Sequence, residues 1–203
     1  MPEFFASEDI ATSRDFRHLD SIAGIRVDLR YASVNNFVGR DLYSPFDCAW
    51  LHVQAAEALE RVVAWLAARR PDLTVLVLDA LRPQRVQQQL WDALEGTELR
   101  LYLADPARGS IHSYGMALDL TLVDAQGREL DMGTGFDDMT ELSHPALEAG
   151  FLLAGRLSQA QLANRRLLRE AMLSAGFLGI RTEWWHFDCG DRDLVRKTFR
   201  RVL

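Results

Sequence analysis

The chain has 203 residues, 48% of them hydrophobic, with 23 Lys and Arg against 29 Asp and Glu for a net charge of −6. That length supports one sizeable core, so we read residues 1–203 as a single domain with residues 1–20 as an N-terminal extension. An acidic chain without a basic face argues against a nucleic-acid partner, and no stretch has the length of a membrane-spanning helix.

Residues 1–20 carry scattered acids and no continuous apolar segment of the signal-peptide kind, so a cytoplasmic location is expected. Cys48 and Cys189 are the two cysteines, too few for a disulfide framework or a Cys-based zinc site, with a single bridge left open. The sequence leaves the oligomeric state open.

In chain order, Ile25–Tyr31 alternates apolar and polar positions as a strand does, and a turn-rich stretch follows at Asn35–Arg40. From Ala49 to Arg70, Leu51, Ala55, Ala58, Leu59, Val62, Val63 and Leu66 recur at helical spacing, ended by Pro71-Asp72. Leu73–Leu78 is a β-favouring apolar run, read as a central strand buried on both faces. Pro83 opens a second helix to about Leu94, and residues 96–111 form a loop.

Met116–Val123 alternates as a strand, with Ala117, Asp119 and Thr121 on one face. Asp124–Gly127 reads as a hairpin turn. Residues 131–158 are irregular, Gln159–Ser174 is helical, and Gly176 suits its C-cap. A strand over 183–188 and a helix around 192–202 complete the chain. Helices and a mixed or mainly antiparallel sheet around one core make the fold class α+β, with the candidate site at the sheet.

Chemistry concentrates in two segments, Ser110-Ile111-His112-Ser113-Tyr114-Gly115-Met116-Ala117-Leu118-Asp119 and Glu183-Trp184-Trp185-His186. A catalytic zinc takes three protein ligands and keeps a fourth position open. His112, Asp119 and His186 suit those three places, which leaves Glu183 for a water's proton. Gly115 permits a tight turn that folds a loop histidine back beside a strand carboxylate. Asp119 lies in an apolar strand, where an aspartate costs several kcal/mol unless it is paired or bound to a metal. The structural alternative is an Asp bonded to a loop or an arginine, and for His186 a satisfied core histidine.

Glu183 and His186 are three residues apart, so a regular strand points them to opposite faces. The arrangement therefore needs Glu183 in a loop, or a twist or bulge at that place. Arg82, at the strand-to-helix junction Asp79-Ala80-Leu81-Arg82-Pro83, can stabilise an oxyanion. Its alternative is an ordinary ion pair with Asp79 or Asp119.

Ser-x-His-x-x-Gly-x-Ala-x-Asp followed by Glu-x-x-His resembles the zinc-binding pattern of D-alanyl-D-alanine dipeptidases, the VanX-like branch of the LAS metallopeptidases. Similar family segments stand at Asp28–Ala32 with Asn35–Phe37, at Leu81–Pro83, at Asp119–Leu122, at Met132–Asp137, at Ser143-His144, at Asn164–Arg166 and at Gly176-Phe177. They run in family order over about residues 20–188.

The resemblance implies one Zn2+ on His112, Asp119 and His186, with Glu183 as general base and Arg82 on the developing oxyanion. It places Tyr31, Ser110 and Asp137 at a dipeptide site, Asp137 meeting the free ammonium, and Trp184 as a wall of the pocket for the C-terminal side chain. The implied reaction is hydrolysis of D-Ala-D-Ala to two D-alanines. The alternative is a D,D- or L,D-carboxypeptidase or endopeptidase on longer cell-wall peptides. A non-catalytic metal-binding relative is a rival of another class, against which the presence of Glu183 argues.

Two positions depart from the family pattern. Ala80-Leu81 stands where a tyrosine usually precedes the Arg-Pro, and Tyr114 stands where arginine is frequent. Both bear on the substrate rather than on the metal. His18, His52 and His144 carry no ligand pattern, no serine-nucleophile turn surrounds Ser110 or Ser113, and no Gly-rich phosphate loop implies a nucleotide.

Overall fold

A computed structural model describes residues 4–203. Its strands are β1 Phe4–Phe5, β2 Phe16–His18, β3 Ile25–Val27, β4 Trp50–His52, β5 Leu73–Asp79, β6 Ala117–Asp124, β7 Phe177–Gly179, β8 His186–Cys189 and β9 Arg201–Val202. Its α-helices are α1 Val53–Arg69, α2 Gln84–Ala93, α3 Glu148–Leu153, α4 Gln159–Ser174 and α5 Arg192–Thr198. The architecture is α+β, as expected.

The main sheet has the order β3-β5-β6-β8-β7. β3 and β5 run parallel, and every other pair in it is antiparallel. Alternation along β5 and β6 divides their side chains between two buried layers. Val75 and Val77 with Leu118, Leu120 and Leu122 face α1 and α4, where they meet Leu59, Val62, Leu66, Leu168 and Met172. Leu76, Leu78 and Val123 form the opposite layer, under Phe136. That second face is the one that carries the polar groups described below.

Several expected boundaries shift for identifiable reasons. The strand at Ile25 ends at Val27, because residues 30–32 turn as a 3-10 helix. Helix α1 starts at Val53 rather than near Ala49, since Trp50–His52 pairs antiparallel with Phe16–His18 and His52 Nδ1 caps the helix by accepting from Gln54 N. The last helix stops at Thr198, and Arg201–Val202 pairs parallel with Phe4–Phe5. The strand expected at 183–188 begins only at His186.

Helix α4 occupies the expected Gln159–Ser174. Ser158 and Gln161 form a reciprocal capping box before it, and Gly176 follows it at φ +89°. Asp124–Gly127 turns as expected, with Gly127 N donating to Asp124 O and a bridge between Val123 and Glu129. Cys48 and Cys189 are both free. No helix among the described residues is long and apolar enough to cross a membrane.

Candidate metal centre

Strand register assembles the site. Asp119 on β6 pairs directly with His186 on β8 and, on its other side, with Asp79 on β5. One extra residue of β5 between Val77 and Asp79 breaks the ladder there. That bulge turns Asp79 away from the face of Val77 and onto the face of Asp119. Three polar side chains thus stand in a row across three strands.

His112 arrives from the 3-10 turn Ile111–Tyr114, which Gly115 closes in the left-handed region at φ +64°. A Cβ on Gly115 would lie 2.7 Å from His52 N and 2.9 Å from Phe16 Cε1, so glycine is required for both conformation and space. The turn is pinned to the end of β5 from two directions. Arg82 N donates to His112 O at 3.2 Å, and His112 Nδ1 donates to Ala80 O at 2.8 Å.

With Nδ1 so engaged, His112 presents Nε2 to its neighbours. His186 bonds Asp188 Oδ1 through Nε2 at 2.9 Å, which turns its Nδ1 the same way. His112 Nε2 and His186 Nδ1 stand 3.1 Å apart, and Asp119 Oδ1 lies 3.4 Å and 2.9 Å from them. Two imidazole nitrogens with their other edges occupied, facing one carboxylate oxygen in a buried site, form a set of lone pairs that a cation satisfies. A tetrahedral ion with ligands at about 2.0–2.1 Å spaces its donors by about 3.3 Å, so the residues fit such an ion.

Burial opposes charge on His186, yet Asp188 and Asp119 outweigh it and raise its pKa to about 10. Burial also opposes charge on Asp119, but His112 and His186 hold it well below the usual carboxylate range.

Arg82 is buried against the outer oxygen of the same carboxylate. Its Nε and Nη2 donate to Asp79 Oδ2 at 2.8 and 2.6 Å, Nη1 to Gln87 Oε1 at 3.2 Å, and Nη2 to Asp119 Oδ2 at 3.3 Å. Both ion pairs considered for Arg82 in the sequence are therefore present. Tyr43 donates to the other oxygen of Asp79, and the Tyr31 ring lies 5.0 Å under the guanidinium.

These groups open onto a cavity of about 320 Å3 whose wall includes Tyr31, Arg82, Ser110, Asp137, Glu183 and Trp185 beside the cluster. Glu183 lies ahead of β8 rather than in it, which meets the geometric demand noted above. Burial lifts its pKa to about 7, and Asp119 adds to the shift. Tyr31 donates to Asp137 Oδ2 at 2.8 Å. Burial raises Asp137 well above the usual carboxylate range despite that bond, and its backbone sits at φ +60°, a strained setting for a residue other than glycine. Ser110 precedes the His112 turn without spending its hydroxyl on capping it.

Trp184 is placed differently from expectation. Its indole Nε1 donates to Thr134 Oγ1 at 2.8 Å, and it lines a separate hollow with Pro145 and Leu173. Trp185 lines the cavity, and Trp184 does not. Leu81 packs with Phe5, Ile10, Phe16 and Val202, and Tyr114 belongs to the main core, so neither departure from the family pattern reaches the cavity. Sequence reading passed over Gln87 and Asp188, and considered Asp79 only as an ion-pair partner of Arg82. Asp188 alone had a usable signal, since it stands two residues after His186 on one strand and so shares its face.

The family model described as Peptidase_M15, D-ala-D-ala dipeptidase, matches residues 13–202. The chain is similar to the D-alanyl-D-alanine dipeptidase of Escherichia coli K12, at 38% identity over 164 residues covering 81% of this chain and 78% of the relative. It is also similar to the D-alanyl-D-alanine dipeptidases of Enterococcus faecium, 32% identical with 91% and 96% covered, and of Enterococcus faecalis V583, 30% identical with 85% and 90% covered. The chain belongs to the M15 peptidase family of D-Ala-D-Ala dipeptidases.

Proposed function

We propose that this protein is a zinc-dependent dipeptidase that hydrolyses free D-Ala-D-Ala to two D-alanines. The observation that carries the reading is the convergence of His112 Nε2, His186 Nδ1 and Asp119 Oδ1 beside Glu183 and Arg82 in one small cavity. At about 320 Å3 the cavity is at the small end for ligand sites, which suits a short substrate.

His112, Asp119 and His186 would hold a zinc ion, which when bound would supply a Lewis acid for acidifying water and polarising the scissile carbonyl. Glu183 takes the proton of the attacking water as its oxygen bonds to the carbonyl carbon. As the C–N bond breaks, Glu183 returns that proton to the leaving amine. A carboxylate with a pKa near 7 is suited to both transfers at neutral pH. Arg82 keeps one Nη1 hydrogen uncommitted by its bonds to Asp79, Gln87 and Asp119, and directs it at the oxyanion.

Asp137, held by Tyr31, receives the substrate's ammonium. An arriving positive charge offsets the burial that raises the Asp137 carboxyl above the usual carboxylate range. Ser110 adds a hydroxyl on the same cavity wall. We read the chain as a single domain that works in the cytoplasm without a membrane or nucleic-acid partner.

The test incubates zinc-loaded protein with D-Ala-D-Ala, L-Ala-L-Ala and a longer peptide ending in D-Ala-D-Ala, and measures released alanine with and without chelator. Chelator-sensitive cleavage of the free D,D-dipeptide alone is the expected result. Equal or better cleavage of the longer peptide replaces the dipeptidase reading with a carboxypeptidase.

A further inference from the structure

The cavity holds more positive charge than the proposed chemistry uses. Arg192 and Arg196 lie one turn apart on α5, and Arg108 enters from the loop before Ser110; all three line the cavity. Arg196 is fixed through Nε, which donates to Gly109 O at 3.1 Å, and Arg192 through its Nε to Asp188. Arg108 Nη2 reaches Asp193 Oδ1 at 3.3 Å, the same oxygen that Arg196 Nη1 approaches at 3.4 Å.

Asp188 is already committed to His186, which leaves Asp193 shared between Arg108 and Arg196. In a chain of net charge −6, two guanidiniums sharing one carboxylate, beside a third whose carboxylate also serves His186, leave these arginines incompletely paired. The Arg196 side chain is only 14% exposed. Burial, with Arg108 and Arg192 nearby, holds its pKa below the ordinary arginine value.

A dipeptide brings two charges into this cavity. Asp137 answers the ammonium, and the α-carboxylate needs a cation. Arg82 is poorly placed to serve, because Nε and Nη2 donate to Asp79 and Asp119, Nη1 donates to Gln87, and the one remaining Nη1 hydrogen is assigned to the oxyanion. Arg192 and Arg196 have no such saturation. Arg196 is also anchored to Gly109, the residue directly before Ser110, whose hydroxyl is not used as a cap.

We propose that Arg196, with Arg192 and Ser110 beside it and Arg108 at the rim, receives the free α-carboxylate of the substrate's C-terminal residue. The inference rests on the dipeptidase reading and deepens it: the required substrate ends, as a free acid, one residue after the scissile bond. A guanidinium offers a fork of parallel donors that matches a carboxylate. Together with Asp137, these arginines measure the substrate between its two charged ends.

The experiment titrates D-Ala-D-Ala and its C-terminal amide into zinc-loaded Glu183→Gln protein by calorimetry, then repeats both titrations with Arg196→Gln added. The free acid is expected to bind at least tenfold more tightly than the amide, and Arg196→Gln to remove most of that difference while leaving amide affinity unchanged. Arg108→Gln, at a side chain 65% exposed, is expected to shrink the ratio two- to threefold without risk to folding. Equal binding of acid and amide, or a ratio that survives these substitutions, overturns the proposal. Selective binding of the acid by a wild-type protein that fails to hydrolyse it retires the dipeptidase reading and leaves the carboxylate site standing.

Discussion

Glu183 shows most directly how a residue can be useful and costly at once. Burial raises its pKa from the ordinary carboxylate value to about 7 in the folded chain, whereas the unfolded chain ionises it near 4.3. Below pH 4 both states hold the proton and the group is neutral to stability. As pH rises above that, the unfolded state releases the proton first, so folding is penalised increasingly until about pH 7. Integrated, the penalty reaches an upper figure of ~4 kcal/mol. Glutamine mimics the protonated form. Metal-free Glu183→Gln is therefore expected to be more stable than wild type at pH 8 by up to that amount, with the gain gone at pH 4. Denaturant titrations at the two pH values check this. The same substitution should lower turnover of the zinc-loaded enzyme by at least about 100-fold without loss of zinc; near-normal activity removes Glu183 from the role of general base.

At the scale of elements, the turn before β6 decides whether the candidate ligands meet, and the bulge in β5 decides whether Asp79 joins them. Gly115 is the sharper test, because a Cβ there collides with backbone as well as demanding a positive φ. Gly115→Ala is expected to cost ~1–3 kcal/mol and also to weaken zinc binding at least tenfold, since it displaces the turn that holds His112. Ser158→Ala, which removes the α4 capping box far from the cluster, should cost ~1 kcal/mol and leave zinc affinity unchanged. Paired melting curves and zinc competition with a chromophoric chelator distinguish the two. If Ser158→Ala weakens zinc as much as Gly115→Ala does, the turn has no special part in the site.

The element scale also shows what could be read from the sequence. Helix α4 and strands β5 and β6 are long and strongly patterned, and they fall within a residue or so of expectation. The candidate metal cluster was legible because His112, Asp119 and His186 are ligand types set in apolar or glycine-bearing surroundings. β7 was missed because Phe177–Gly179 is three residues long and ends in glycine, so its pairing with β8 decides it rather than its own pattern. The place of Asp79 beside Asp119 could not be read for a related reason. Its face depends on a bulge, and nothing in the run from Leu73 to Leu78 announces one. The side to which Trp184 turns is fixed by Thr134, fifty residues away in the chain, and cannot be seen locally.

Over the whole molecule, the three candidate ligands come from a turn and two neighbouring strands, so an ion joins pieces of chain that separate on unfolding. Binding to the folded state alone stabilises by ~2.7 kcal/mol when free metal is 100 times its dissociation constant. Zinc is therefore expected to raise the melting temperature of the metal-free protein by several degrees, and Asp119→Asn to abolish most of that rise. A melting temperature insensitive to zinc in the wild type counts against the centre. The cluster is internally hydrogen-bonded, with His112 tied to Ala80 and His186 to Asp188. The candidate donor atoms are thus gathered without an ion.

The row Asp79–Asp119–His186 carries one further consequence. Because neighbouring rungs of a sheet define it, the centre depends on how many peptide units separate fixed points of the chain, and less on what most of those units are. Between Gly115 and Asp119, deleting a single residue inverts the alternation and sends the carboxylate to the helix side, however conservative the remaining sequence. Beyond Asp124 the chain reverses through an exposed turn at residues 125–128, where added residues leave that count untouched. The protein can therefore absorb spelling changes along β6 far more readily than a frame change within it, and its natural place for an insertion lies at the far end of the same strand.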